Sequence, residues 1–187
     1  MKMERTEQQK LVSKAPHSAG SLAERFEFRS IRAEEADQAV AIEQICFPPN
    51  EACSERHMKE RIAKVPELFL VAVDRETGRL AGLLNGLSTS ESVFRDEFFT
   101  DAGLYEPDGE NVMLLGLDVL PEYRMQGLGR ELMTQYARRE RENGRRTLIL
   151  TCLDNKVKMY QKMGFVDKGI SNSVWGGEAW HEMALCL

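Results

Sequence analysis

The sequence predicts a mixed α/β domain, and three observations carry that prediction. Residues 68–73 and 80–87 are continuous apolar runs separated by a turn at 75–78, the pattern of a buried β-hairpin. Residues 111–119 form a further apolar strand that leads through a glycine-bearing turn into a long amphipathic helix, 127–143, closed by Gly144. Residues 147–153 then read as a strand again, and a strand-helix-strand crossover sets its two strands parallel or nearly so.

The remaining elements follow in chain order. Residues 1–24 are polar, with Pro16, Gly20 and several Ser and Lys but no sustained period, and read as a tail preceding a single domain over 25–187. Residues 26–31 alternate in the strand manner. Residues 33–47 carry a helical stripe through Ala36, Ala39, Val40, Ile42, Ile45 and Cys46, which Pro48 and Pro49 must end because neither can donate the next hydrogen bond. A loop over 50–53 reads as a plain connection in preference to a substrate lid, and leads to a second helix, 54–65, capped by Ser54. In the segment 88–109, Phe94, Phe98 and Phe99 are expected to face inward from a short helix, with loop from 101 onward. A helix over 155–163, a strand beginning at 165–168 and a final strand over 178–187 complete the chain, the last two joined by a loop holding Trp175, Gly176 and Gly177.

Composition narrows the function classes. With 187 residues, 42% hydrophobic and 29% charged, one domain with a sizeable core is expected. A net charge of −5 argues against general nucleic-acid binding. The four cysteines, Cys46, Cys53, Cys152 and Cys186, lack the close spacing of a metal site and suit reduced thiols in a cytoplasmic protein. No apolar run reaches the roughly 18 residues that suggest a membrane span, and Glu4 and Glu7 interrupt any apolar signal core, so neither a metal nor a membrane partner is expected.

The most informative stretch is the turn Arg124-Met125-Gln126-Gly127-Leu128-Gly129. The first amides of a helix have no internal partner and lie at the positive end of its dipole, and glycine lets an anion approach the backbone closely. The turn lacks the Gly-Lys-Ser/Thr ending of a nucleotide-triphosphate loop and the three-glycine dinucleotide pattern. Arg-x-x-Gly-x-Gly after a strand and a proline remains, open to both a phosphate site and a plain helix start.

That motif, preceded by Leu117-Asp118-Val119 and Pro121-Glu122-Tyr123, resembles the acetyl-CoA-binding motif of the GNAT superfamily of N-acetyltransferases. Residues 153–165, with Asn155, Tyr160 and the ending Tyr-Gln-Lys-Met-Gly-Phe, are similar to the late helix and Tyr-x-x-x-Gly-Phe signature of that family. Within it the chain looks most like the arylalkylamine (serotonin-type) branch, through Phe26-Glu27-Phe28-Arg29, Pro66-Glu67-Leu68, Met159-Tyr160-Gln161 and Glu182-Met183. The resemblance implies a central, mostly antiparallel mixed sheet with a splay between its two middle strands, flanked by about four helices. It also implies acetyl-CoA as acyl donor and a small primary amine, arylalkylamine-like or polyamine-like, as acceptor, in a monomer or homodimer.

The site residues follow from the same resemblance. Backbone amides of Met125, Gln126, Gly127, Leu128, Gly129 and Arg130 would take the pyrophosphate, and the backbone of Leu117, Asp118 and Val119 would take the pantetheine arm as an added half-strand. Arg124 either adds charge to the phosphates or braces the turn. Asn155 either holds the cofactor or caps its helix. Tyr160 falls at the family's proton-donor position. The base is where the chain departs from the branch: Met113 and Leu115 stand where two histidines are found, which makes the acceptor wall apolar and removes the usual proton relay. Glu91, His57 and His181 are alternative bases, each with an equally plain structural role, and bulk water is another. Phe47, Trp175 and Trp180 are candidates to wall an acceptor pocket. The rival to an enzyme is a CoA-binding sensor or partner subunit that has lost catalysis.

Overall fold

The computed structural model describes residues 20–187. Helix α1 (Leu22–Arg25) is one turn, capped by Ser21, and it occupies residues expected to be tail; residues 1–19 of that segment lie outside the described residues. The other elements are β1 (Phe26–Ser30), α2 (Ala36–Cys46), α3 (Glu55–Lys64), β2 (Phe69–Asp74), β3 (Leu80–Thr89), β4 (Asn111–Val119), α4 (Leu128–Glu142), β5 (Thr147–Cys152), α5 (Asp154–Gln161), β6 (Val166–Ile170) and β7 (His181–Cys186).

Local chemistry accounts for most boundaries. Phe47 is already extended before Pro48, so α2 stops where the prolines require. The Ser54 hydroxyl accepts from the His57 amide and starts α3. Between β2 and β3 the Asp74 carboxylate accepts from the amides of Glu76 and Thr77, which closes the hairpin turn. Two expectations are corrected. Phe94 and Phe98 are buried as expected, but the backbone there forms only a 3-10 turn, Asp96–Phe99, because the aromatic anchors hold it more than any helical period does. The last strand is shorter than 178–187: it begins at His181, after the 3-10 turn Trp175–Gly177 and Trp180, whose indole donates to the Trp175 carbonyl.

The seven strands form one sheet in the order β1-β2-β3-β4-β5-β7-β6, antiparallel at every junction except the parallel pair β4 and β5. Both faces are covered. Leu70 and Ala72 of β2 join the core under α4 and α5, whereas Val71 and Val73 join the core under α2 and α3. This period of two, with both sides buried, is why the strand reads as an unbroken apolar run. Each fully buried Leu or Val contributes about 1.5–3 kcal/mol of transfer free energy.

Two irregularities in β4 shape its C-terminal half. Against β3, Asn85 pairs with Gly116 and Gly86 with Leu114, so Leu115 is an extra, bulged residue. Leu114 and Leu117 consequently share one face, and Leu115 and Gly116 in succession turn to the other. Against β5, pairing covers only Asn111–Met113 with Thr147–Ile149. Beyond that point β4 is bonded to β3 alone and β5 to β7 alone, and the sheet opens into a wedge.

Gly86 secures this geometry by close approach. A Cβ there would lie 2.7 Å from the Met113 carbonyl oxygen and 2.8 Å from Val112 Cγ1, beside the bulge. Gly86→Ala is therefore expected to destabilise the domain by about 1–3 kcal/mol, seen as a lower urea midpoint at unchanged slope.

Candidate active site

A cavity of about 680 Å³ fills the wedge between β4 and β5. One end is built from the turn between β4 and α4. Gly127, at φ +87°, occupies the left-handed region and serves as the residue before α4, so the chain can turn from strand to helix without a Cβ penalty. The first amide of that region to find a helical acceptor is Glu131, bonded to the Gly127 carbonyl. None of the amides from Met125 to Arg130 is taken up by an acceptor among the described residues. A Cβ at Gly129 would meet Val119 Cγ2 at an ordinary 3.7 Å, so protein packing does not demand glycine there. Arg124, Arg130 and Lys156 also line the cavity and bring positive charge to it in a chain of net charge −5.

The sequence-selected residues distribute as follows. Leu117, Val119, Arg124, Met125, Gly127, Leu128, Gly129, Arg130 and Tyr160 all line the cavity. The Arg124 Nε donates to the Val119 carbonyl at 2.8 Å and so braces the turn while still facing the cavity. Gln126 lies outside the lining, with its Oε1 accepting from Arg25 and its Nε2 donating to the Glu122 carbonyl. Asn155 is exposed on α5 and outside the lining, and the capping position belongs to Leu153, so the helix-cap reading of its side chain is not realised. Lys156, not singled out from sequence, takes a place on the wall instead.

The Tyr160 hydroxyl opens on the cavity and has no hydrogen-bond partner among the described residues, while its ring packs edge-on against Phe165 at 5.6 Å. Burial first, then the nearby Cys152 and Asp118, pushes its pKa well above the ordinary phenol value, so it stays protonated at neutral pH.

The other end of the cavity is aromatic. Phe47, Phe99, Trp175 and Trp180 line it. Trp175 stacks on Phe99 at 4.6 Å and donates from its indole to the Glu51 carbonyl, while Asn50 reaches the Gly176 carbonyl. The loop after α2 is thus a wall of the cavity and not a plain connection, because its backbone is tied to the loop before β7. Met113 and Leu115 separate in role. Leu115 lines the cavity, but Met113 is fully buried in the Phe94–Phe98 cluster and away from it. The three alternative bases are elsewhere: Glu91 is paired with Arg95, His57 with Ser54 and Arg56, and His181 lies between Asp154 and Asp167.

A polar cluster that the sequence reading missed reaches the lining at Glu43 and continues beneath it. Glu43 of α2 and Asp118 of β4 are 3% and 0% exposed, with Arg61 of α3 at 1% and Asn85 of β3 at 0%. Arg61 donates to Asn85 Oδ1 at 2.7 Å and to the Phe99 carbonyl at 3.2 Å, and the Cys53 amide donates to Glu43 Oε1 at 2.8 Å. No donor reaches Glu43 Oε2 or either oxygen of Asp118. Burial, followed for Asp118 by the facing Glu43, raises both carboxyls above the ordinary range. Two such groups are satisfied only by holding a proton between them. The signal was available: Glu43 sits on the stripe of Ala39 and Val40, and Arg61 on that of Met58 and Ile62, where a charge is out of place unless partnered.

A pH dependence of stability follows. A carboxyl whose pKa is raised by folding binds more protons in the folded chain than in the unfolded one, so stability falls as pH climbs from the unfolded value through the folded one. Glu35, held low by Arg29, acts in the opposite sense and at more acid pH. Asp118→Asn is expected to flatten the decline in unfolding free energy as pH rises above the ordinary carboxylate range, measured by urea denaturation; a slope parallel to wild type would contradict the shared proton.

Comparisons with known proteins agree with this geometry. The model of the acetyltransferase (GNAT) family matches residues 36–165. No curated protein matches the sequence. Among solved structures, the loading GNATL domain of CurA from Lyngbya majuscula is similar with a TM-score of 0.73 at 14% identity, covering 86% of this chain and 97% of that one. Ard1 from Thermoplasma volcanium gives 0.68 at 17% identity, covering 87% and 98%. A phosphinothricin acetyltransferase from Sinorhizobium meliloti, solved with acetyl-CoA, gives 0.63 at 18% identity, covering 87% and 89%. With a family match over most of the domain, an open mixed sheet and a cationic helix start beside its wedge, the chain belongs to the acetyltransferase (GNAT) family and is an acyltransferase that uses acetyl-CoA.

Proposed function

We propose that the acceptor is a small primary amine, arylalkylamine-like in preference to polyamine-like, and that Tyr160 protonates the departing thiolate. One observation carries this reading: a single cavity runs along β4 from unpaired amides and cations to an aromatic enclosure, with the Tyr160 hydroxyl free inside it.

The anionic part of acetyl-CoA suits the amides of 125–130, backed by Arg124, Arg130 and Lys156. The pantetheine arm carries amide groups, and the edge of β4 past Met113 lacks a neighbouring strand on the β5 side, so an added half-strand beside Leu117 and Val119 would satisfy both. The nucleophile is a neutral amine. An alkylamine with a pKa of about 10.4 must give up a proton at pH 7, a cost of about 4–5 kcal/mol. A thiolate leaving group, with a pKa of about 8.5, is stabilised by a proton from Tyr160, which burial keeps available. The rings of Phe47, Phe99, Trp175 and Trp180 give an aryl group on the acceptor a face to pack on. The apolar Leu115 leaves no histidine relay on that wall.

Thiol release from acetyl-CoA is expected with arylalkylamines above polyamines, amino acids and peptide N-termini across one panel. Bound acetyl-CoA without turnover on any acceptor would favour a CoA-binding sensor instead. Tyr160→Phe is expected to lower kcat by about 100-fold or more with little change in acetyl-CoA affinity, and an unchanged kcat removes it from the mechanism. Gly129→Ala is expected to leave the melting temperature near wild type and weaken acetyl-CoA binding about tenfold, roughly 1.4 kcal/mol, by calorimetry.

A further inference from the structure

We propose that the buried Glu43–Asp118 pair is the base that takes the proton from the amine, with Glu43 as the catalytic residue in contact with the acceptor and Asp118 as its positioning partner. This inference rests on the amine-acetyltransferase reading above and names the group that reading lacks.

The geometry provides four reasons. Glu43 is almost completely buried yet lines the cavity, and its Oε2 has no partner among the described residues. That oxygen lies next to Gly116: a Cβ built on Gly116 would be 3.3 Å from Glu43 Oε2, 3.5 Å from Asp118 Oδ2 and 3.0 Å from Asn85 Nδ2. Gly116 also lines the cavity, directly after the bulged Leu115, so the strand offers no side chain there and the carboxyl pair is reached across bare backbone. Finally, the other half of Glu43 is anchored by the Cys53 amide, which fixes Oε2 in direction.

Charge balance makes the pair suited to an ammonium ion. The charged groups around Glu43 are Asp118 from β4 and Arg61 from α3, with Arg124 nearer to Asp118; the thiols of Cys53 and Cys46 are themselves held above their ordinary pKa by burial. Once the shared proton has left to solvent, both carboxyls are ionised and, with Arg61 charged, the cluster carries one net negative charge in a buried place, which an incoming ammonium neutralises. Proton transfer then leaves one shared proton and a neutral cluster. The first proton of R–NH3⁺ thus passes to Glu43, and the neutral amine forms the C–N bond with the thioester carbonyl carbon. As the C–S bond breaks, the thiolate takes the Tyr160 proton, and the proton remaining in excess on nitrogen restores Tyr160. The products are the amide and CoA thiol, and the proton on the pair leaves through the cavity to solvent.

The test compares an arylalkylamine with an alkoxyamine of the same shape, which is neutral at pH 7 and needs no base. For wild type, kcat/KM on the arylalkylamine should rise with pH along a limb set by the carboxyl pair, and the alkoxyamine should show no such limb. Glu43→Gln is expected to lose about 100- to 1,000-fold on the arylalkylamine at pH 7 and less than about threefold on the alkoxyamine, with calorimetric acetyl-CoA affinity retained. Asp118→Asn, leaving Glu43 alone near Arg61, should move the wild-type limb to lower pH by about one unit or more. Equal losses on the two acceptors, no loss on the arylalkylamine, or an unmoved limb in Asp118→Asn overturns the proposal. If Glu43→Gln fails to bind acetyl-CoA, the wild-type limb and the Asp118→Asn shift decide alone. Wild-type silence on both acceptors with acetyl-CoA bound removes the amine reading itself and this inference with it.

Discussion

The separation of β4 from β5 after three residue pairs is the constraint on which the rest of the structure depends. A sheet that closed fully at its parallel junction would have no cavity, and the helix start at Gly127 would face only solvent. The bulge at Leu115 works with this opening, because it turns two successive side chains to one face and leaves bare backbone at Gly116. The unpaired edge of β4 carries polar groups that need a partner, so the wedge is suited to a ligand that itself resembles an extended chain. The long helix α4 then supplies the opposite chemistry at the cavity mouth: amides without acceptors and a positive dipole end.

The same wedge explains why charge is buried beneath it. Arg61, Glu43 and Asp118 lie where α2, α3 and β4 converge, each almost completely excluded from water. Ionic groups in such a place are a poor source of stability, since desolvation offsets most of their attraction. A cluster kept close to neutrality by a shared proton limits that cost and leaves Glu43 poised at the cavity. The aromatic end is assembled differently, by loops tied together through Trp175 and Asn50, so enclosure of that end of the cavity depends on contacts distant in sequence.

Sequence legibility followed the range of the interactions. The hairpin, the β4-α4-β5 crossover and the caps at Ser54 and Pro48 are local patterns, and the structure places them as expected. The turn at Gly127 was readable for the same reason, since its amides without acceptors are consecutive in sequence. The cap of α5 was misplaced at Asn155 because capping depends on a small shift of the helix start, which periodicity does not resolve. Glu43 and Asp118 were passed over because pairing them requires the register of α2 against β4. Asp118 was read only for its backbone, although a carboxylate in an apolar strand was itself a signal. Met113 and Leu115 were grouped by alternation, yet only Leu115 lines the cavity, with the bulge immediately before Gly116.

A crystal structure with CoA bound tests the central claim most directly. The account requires the pantetheine arm to lie between β4 and β5 alongside Leu117 and Val119, the pyrophosphate on the amides of 125–130, and the sulfur on the Tyr160 side of Gly116. CoA bound outside the wedge, or a sheet in which β4 and β5 pair along their full length with CoA held elsewhere, would contradict it.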